Sequence, residues 1–573
     1  MRALLLLSLL ILPTFASAAS ECDVPQSTSC RSELRAVRRE LVPQQPFNRW
    51  LARSGHAGAR CQVAASRAAK RFLEERVEEL GQAERATDAG RHLGEVARQC
   101  RGVRASRLTR FGGACAQLAR PGDTLRGGSL SRCLRASLEA AAQAAVSTPV
   151  PPNIVLILTD DQRWDTLDIM PQVQRELVDR GVRFTNGFVP TSACCPSRAS
   201  LFSGLYAHKH GILTNAGLFL PHFAFDHEDV LPAWLRRAGY ATALFGKYLN
   251  HAYLLGETKP DAWSTWQIFT GQTGRYFDYE LNKDGVWSVM GGEEEDYSTD
   301  YLAREAIRFV RENSERPFFV MYAPFAPHAP ATPAPRHVGA LAGLGPYRPP
   351  NFREEDLSGK PAWLRFFRVI APTPDAYDAL RISQLESLLA VDEAVGELSR
   401  VLDELGLTDN TVVLYLSDNG LQWGSHWWNE KWTPYEESIR VPFVLRYPRS
   451  FPLARESHEM VLNIDIAPTL MAAAGLPAPP ADGRDILPVV QGSEPGREAF
   501  LIESFTEFFV SPHRGVRTHR WKYIVTLPDG PDPSEELYDL RLDPYELDNR
   551  AGDPELAELQ AELARRLEEL VDE

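Results

Sequence analysis

Four stretches of the chain are apolar at nearly every position: residues 153–158, 241–245, 317–322 and 411–416. All are rich in branched or aromatic side chains. A strand that is apolar at each position rather than at every second one is buried on both faces, as strands are inside a parallel sheet. Between them lie segments with apolar residues at helical spacing, including 173–180, 303–312 and 384–405. Strands alternating with helices predict an α/β domain around a mostly parallel sheet, spanning 153–490. After about residue 490 the pattern changes. Short strand-like pieces at 498–503 and 522–526 precede a helix opened by Asp553-Pro554, with Leu556, Leu559, Leu563 and Leu567 on one face. A proline at a first helical position and a leucine stripe at this spacing predict an amphipathic helix, hence a small α+β subdomain over 491–573 packed on the main sheet.

The stretch before residue 150 has neither texture. It lacks strand-like alternation, is full of Ala, Arg, Leu and Glu, and reads as helix over segments such as 64–80. Six of the eight cysteines of the chain fall here, at Cys22, Cys30, Cys61, Cys100, Cys115 and Cys133. An even count in a short segment suits disulfides, so residues 19–146 are expected to be a basic, disulfide-tied helical module. Residues 147–152, with Pro149, Pro151 and Pro152, read as a linker. Residues 1–18 read as an export signal: Arg2, an apolar run over 3–12, and the small residues Ala16-Ser17-Ala18. That run is too short to span a bilayer, no later stretch is suitable, and Cys22 follows Glu21 rather than the small residue a lipoprotein needs. The expectation is a secreted or periplasmic protein with no transmembrane segment. The formal net charge of −14 argues against a nucleic-acid partner. Because the N-terminal module is basic, the remainder carries more than the whole of that negative charge.

Open parallel sheets build their sites beyond the carboxyl ends of the strands. Here those ends lead into Asp160-Asp161, Gly246-Lys247, Pro327-His328 and Asp418-Asn419. Taken singly each has a plain structural reading, such as a solvated turn at Asp160-Asp161 or at Asp418-Asn419-Gly420. Together Asp160, Asp161, Asp418 and Asn419 form an oxygen-only donor set, which selects Ca²⁺, with Mg²⁺ second, over Zn²⁺. The two remaining cysteines are adjacent, in Cys194-Cys195-Pro196-Ser197-Arg198-Ala199-Ser200-Leu201-Phe202-Ser203-Gly204. Pro196 fits a first helical turn, placing both cysteines just before a helix, in the positive field of its N-terminus. Without their context, two such cysteines read equally as buried thiols or disulfide partners.

The run from Cys194 to Arg198, followed by Leu201 and Gly204, resembles the signature of type I sulfatases. His208-Lys209-His210, Gly246-Lys247-Tyr248-Leu249-Asn250, residues 431–442, Asp465-Ile466-Ala467-Pro468-Thr469 and residues 536–540 are further matches. They are most similar to the N-acetylglucosamine-6-sulfatase and extracellular heparan endosulfatase branch. The resemblance covers roughly residues 151–550 and leaves the N-terminal module outside. It implies an alkaline-phosphatase-like α/β domain with helices flanking a large mostly parallel sheet. It also implies that Cys194 is oxidised by a formylglycine-generating enzyme to formylglycine, whose hydrate supplies the hydroxyl that attacks a sulfate ester. Metal ligation by Asp160, Asp161, Cys194 (as formylglycine), Asp418 and Asn419 follows, with Arg198, Lys247 and Lys431 as an electrostatic clamp and His328 as the acid for the leaving alkoxide.

One departure stands out. Leu249 occupies the position where many relatives carry a histidine that helps break down the sulfated intermediate. That leaves His208, His210 and His251 as open alternatives for the base, and His426 as a supporting residue near the metal or the substrate. Trp263, Trp266, Trp427 and Trp428 are expected either to stack on sugar rings or simply to pack. The branch implies a sulfated sugar or polysaccharide, such as glucosamine 6-O-sulfate in a glycosaminoglycan. Two rivals remain: a phosphodiesterase or phosphonate monoester hydrolase of the same superfamily, and a non-catalytic glycan-binding protein.

Overall fold

Residues 153–159 contain no charged side chain, and all seven are buried as the first strand, β1 (Asn153–Thr159). The computed structural model describes residues 150–573, apart from 216–224, 256–257, 271–274, 452, 478, 508–509 and 528–533. The expected signal, the cysteine-containing module and the first half of the linker lie outside the described residues.

Nine further strands join β1 in the main sheet. They are β2 (Val182–Phe188), β3 (Ala241–Gly246), β4 (Thr265–Phe269), β5 (Glu280–Lys283) and β6 (Val286–Val289), then β7 (Phe318–Ala323), β8 (Thr411–Ser417), β9 (Phe443–Arg446) and β10 (Arg455–Leu462). Their order is β10-β2-β9-β8-β1-β7-β3-β4-β5-β6. Only β9 and β5 run against the others. The sheet is therefore mostly parallel, as the four apolar runs predict. Alternate residues of β1 feed opposite cores: Ile154, Leu156 and Leu158 on one side, Val155 and Ile157 on the other. The first core is covered by α1 (Cys194–Ser203). The second is covered by α2 (Ser298–Glu312) through Leu302, Ala306 and Val310, and by α3 (Pro374–Glu404) through Leu388, Val391 and Val395. Helix α4 (Ile466–Ala473) joins α1 on the first face through Ile466 and Leu470.

The long helix α3 starts ten residues before the segment expected from its apolar spacing. Thr373 caps it by accepting from the Ala376 N–H, and Pro374 fills the first helical position. Its first turns are half-exposed, so they show no apolar stripe.

The C-terminal subdomain is an antiparallel sheet in chain order: β11 (Ala499–Ser504), β12 (His513–Thr518), β13 (Trp521–Thr526) and β14 (Glu535–Asp539). Asp553 caps a short 3-10 turn that leads into α5 (Ala557–Asp572). Leu563, Leu567 and Leu570 of α5 pack on Phe500, Ile502, Val516 and Tyr523, and the same cluster takes in Phe188, Met460 and Leu462 of the main sheet. Each such buried leucine contributes about 2 kcal/mol. No helix among the described residues is long and apolar enough to cross a membrane.

Candidate active site

Register brings the expected residues to one rim. β1 and β8 are parallel neighbours with Thr159 opposite Ser417, so Asp160-Asp161 and Asp418-Asn419 leave adjacent strand tips. The turns are tied: Asp418 N–H donates to Thr159 O at 3.1 Å, and Asp160 N–H to Ala326 O at 3.2 Å. Asp161 sits at φ 68°, a left-handed conformation that aspartate tolerates better than most residues. On the other side of β1, β7 pairs with β3, and Lys247 N–H donates to Ala323 O at 2.8 Å. Gly246 precedes it at φ 120°, where a Cβ would lie 1.9 Å from that same carbonyl oxygen. Gly246→Ala is therefore expected to destabilise the fold by about 3 kcal/mol or more and to displace Lys247. A shift in the urea midpoint checks it.

Helix α1 begins at Cys194, two residues sooner than expected, with Ala193 extended before it and Ser197 N–H returning to Ala193 O at 2.9 Å. Pro196 thus lies in the first turn, as its missing N–H favours, but the cysteines are inside the helix rather than before it. All ten residues of α1 are buried, and Gly204 ends it in the left-handed conformation. The Ser197 hydroxyl donates to Asp418 O, and Asn463 Nδ2 donates to Ser197 O and Oγ at 2.9 Å. The helix start and the Asp418 turn are thereby locked together.

The charged groups interleave. Lys247 Nζ lies 2.5 Å from Asp160 Oδ2, and Lys431 Nζ pairs closely with Asp161 and lies 3.1 Å from Cys194 Sγ. Arg198 Nε donates to Asp418 Oδ2 at 2.8 Å and Nη1 to Lys247 O at 2.7 Å, while Nη2 has no hydrogen-bond partner among the described residues. His328 Nδ1 is 2.6 Å from Ala329 O, and Nε2 faces Asp161 Oδ2 at 3.6 Å. Donor atoms of Asp160, Asp161, Cys194 and His328 lie within 4.8 Å of one another. Asn419 Nδ2 donates to Asp161 Oδ1 at 2.7 Å, leaving its buried Oδ1 with no donor. That orphaned oxygen among three carboxylates fits a hard divalent cation.

Burial opposes ionisation of both aspartates, but Lys247 beside Asp160 and Lys431 beside Asp161 outweigh it and hold both carboxyls below their ordinary values. Burial likewise opposes the charge on Arg198, Lys247 and Lys431, yet the neighbouring carboxylates raise all three. Three carboxylates, Asp160, Asp161 and Asp418, thus face three cations. Burial drives the Cys194 thiol up to about 11, against Lys247 and Lys431. Such a thiol is not the thiolate a cysteine nucleophile requires. Burial also lowers His328, opposed by Asp161 and Asp160.

Leu249 is buried in the core. His208 Nδ1 is 2.8 Å from Glu503, and His210 Nε2 is 3.0 Å from the Ser200 hydroxyl, with burial lowering it to about 4. His251 has a left-handed backbone, φ 62°. His426 is wholly buried, with Nδ1 3.0 Å from Glu354 Oε1, and groups with Glu437 and Glu546. Trp263, Trp266 and Trp428 are core residues, and Arg353 and Arg368 lie over the ring of Trp427. Packing wins over sugar stacking at these positions.

Phe325 was not singled out by the sequence. Its ring lies 4.5 Å from that of His328, 5.7 Å from Lys247 Nζ and 5.3 Å from the Arg275 guanidinium. Only its position two residues before Pro327-His328 could have marked it. Asn215, which accepts from Cys195 N–H at 2.8 Å, carried no signal at all.

The sulfatase domain matches residues 152–476, and the C-terminal domain of N-sulphoglucosamine sulphohydrolase matches 424–573. An N-acetylglucosamine-6-O-sulfatase of Bacteroides thetaiotaomicron is 30% identical over 76% of this chain and 88% of its own length. The extracellular sulfatase SULF-1 homolog of Drosophila melanogaster is 34% identical over 62% of this chain, which spans 33% of that longer protein. A solved structure described as a complex with its substrate D-glucosamine-2-N,6-O-disulfate is 28% identical, covers 73% of this chain and 97% of its own, and has a TM-score of 0.64. A phosphonate monoester hydrolase of Agrobacterium radiobacter, 23% identical with a TM-score of 0.58 over 74% of this chain and 95% of its own, shares the fold. The molecule is a sulfuric ester hydrolase. The chain belongs to the sulfatase family, which generally uses formylglycine and a divalent metal.

Proposed function

We propose that this enzyme removes the 6-O-sulfate of glucosamine units in sulfated sugars, with Cys194 acting as formylglycine and Ca²⁺ as the metal. The observation that carries the reading is the placement of Cys194 at the N-terminus of α1, beside Asp160 and Lys431. Substrate preference is supported by relatives that act on N-acetylglucosamine 6-sulfate and by the glucosamine disulfate bound to a related structure.

Asp160, Asp161, Asp418 and Asn419 would hold the ion, which supplies Lewis-acid stabilisation to the sulfate oxygens and the nucleophile. The Cys194 Sγ marks where the oxygens of the formylglycine hydrate would stand. Lys431, 3.1 Å from that atom, holds positive charge against them. Arg198 keeps Asp418 in place and offers its spare Nη2–H to an oxygen at the same point. Lys247 and His328, both beside Phe325, face the developing charge on the leaving oxygen. The imidazole, held low by burial, gains its proton as the anionic substrate enters, then passes it to the alkoxide. Three cations balance three carboxylates, so a divalent ion leaves the pocket with two positive charges, matched to an oxyanion substrate.

Export and action outside the cytoplasm are part of this reading. They rest on residues 1–18 and on the extracellular sulfatases among the relatives. We also assign the boundaries at 146, 152 and 490 on sequence texture.

Purified enzyme from the native host is expected to release sulfate from N-acetylglucosamine 6-sulfate with a kcat/KM about 10²-fold above that for an aryl phosphodiester. Chelation is expected to cost activity by about 10²-fold, with Ca²⁺ restoring it better than Mg²⁺. A preference for the phosphodiester would instead favour the phosphonate hydrolase reading. Equal failure of wild type and Cys194→Ala on both substrates would favour a glycan-binding protein.

A further inference from the structure

Behind the active site lies a second group of buried charges that the hydrolytic chemistry does not use. His426 follows β8, Glu437 sits in the short helix Glu436–Ile439, and Glu546 follows β14. All three are at least nine-tenths buried, and one ligand-capable atom of each lies within 4.8 Å of the other two.

The imidazole is already oriented. Glu354 Oε1 lies 3.0 Å from His426 Nδ1, and the other ring nitrogen, Nε2, faces Asn351 Nδ2 at 3.4 Å. Carboxylates orient metal-binding histidines in this way. Asn351 Nδ2 donates to Glu437 Oε1 at 2.7 Å, leaving Glu437 Oε2 and Asn351 Oδ1 buried with no hydrogen-bond donor. Two buried oxygen acceptors therefore stand without donors among the described residues to satisfy them.

The surroundings are densely charged. Glu354, Glu436, Glu437, Glu536 and Glu546 are five buried carboxylates. Against them stand three buried cations. Lys522 lies 2.7 Å from Glu546 and 2.9 Å from Glu436, Arg517 lies 3.2 Å from Glu436, and Lys360 lies 4.0 Å from Glu536.

We infer that His426, Glu437 and Glu546, with Asn351 Oδ1, form a second metal site, structural in role and separate from the catalytic one. Its mixed nitrogen and oxygen donors fit a first-row ion such as Zn²⁺ or Mn²⁺ better than Ca²⁺. The ion ties three segments together. One is the loop that runs from His426 to Lys431. The second is the Glu437 helix, which supports the metal-side turn: Gly420 N–H donates to Ser438 O at 2.9 Å, and a Cβ on Gly420 would meet Glu437 O at 2.1 Å. The third is the C-terminal segment that carries Glu546.

The test uses full-length protein, stripped with chelator and dialysed against Ca²⁺ together with Zn²⁺ or Mn²⁺. Elemental analysis is expected to find the first-row ion beside Ca²⁺ in wild type. In Glu437→Gln, an isosteric change, affinity for that ion falls by about tenfold or more while Ca²⁺ is retained. The Tm of wild type is expected to rise with Zn²⁺ or Mn²⁺, and that of Glu437→Gln to stay fixed. Should Glu437→Gln not fold, Glu546→Gln is measured in its place, and anomalous scattering from wild-type crystals locates the ion directly. Wild type that binds Ca²⁺ alone, or a Glu437→Gln protein that binds the first-row ion as wild type does, overturns the site. The cluster would then balance its charge with protons. Neither result bears on sulfate release, so this inference and the proposed function fail separately.

Discussion

Cys194→Ala is expected to lower sulfate-ester turnover by about 10⁴-fold or more while leaving the fold intact. The side chain makes little of the packing. Its sulfur accepts from Lys431 and lies 3.9 Å from Asp160 Oδ1, and α1 is held instead by Ser197, Arg198 and the apolar contacts of Leu201 and Phe202. What is lost is the nucleophile. An unmodified thiol would serve poorly, because burial pushes it up to about 11. Only about one such group in 10⁴ is ionised at pH 7. Cys194→Ser retains a hydroxyl, but a serine sulfate ester has no second hydroxyl through which to collapse, so a single slow turnover is expected. Aryl sulfate hydrolysis measures the rates. Peptide mass spectrometry over residues 183–198 of the native protein reads whether sulfur has been exchanged for an aldehyde oxygen. Native protein with an intact thiol and full sulfatase activity would sink the mechanism.

Arg198→Met is expected to strike both stability and rate. The guanidinium is fully buried and bonds the Asp418 carboxylate and the Lys247 carbonyl with separate nitrogens. Its removal leaves Asp418 buried without its ion-pair partner, a change that costs about 3–5 kcal/mol. Bound metal offsets part of this, so the loss is expected to be larger after chelation. The clamp on the sulfate loses one donor, about 10²–10³-fold in kcat. Arg198→Lys is expected to lie between, because a single ammonium cannot bond both Asp418 and the Lys247 carbonyl in the fixed fork of a guanidinium. Urea unfolding with and without Ca²⁺ separates the two effects. An Arg198→Met enzyme with an unchanged midpoint would show that Asp418 is satisfied by other means.

Strands buried on both faces announce themselves, because no charged residue interrupts them; β1, β3, β7 and β8 were all legible for that reason. So were the site residues at their tips, since a parallel sheet delivers functional groups to one edge. Strands β2 and β9 were not. β2 mixes Arg183, Thr185 and Asn186 with its apolar residues, and β9 has four residues. Nothing local tells that β9 inserts antiparallel between β2 and β8; that is decided by pairing across the sheet. Among the site residues, His426 shows the limit. Its sequence neighbourhood placed it near the metal, whereas its left-handed backbone at φ 53° turns it into the second buried cluster. Three of the four tryptophans went to the core because their area is worth more there than at a sugar-binding surface.

Cys194 is 1% exposed, and every other residue of its helix is buried with it. An external enzyme that oxidises this position cannot reach it in the finished molecule. On the mechanism proposed above, conversion of Cys194 would have to precede folding, while the segment is still extended. A chain that collapses too early would seal in its own unripe thiol, so in a foreign host the yield of active protein would be set by a race between folding and maturation.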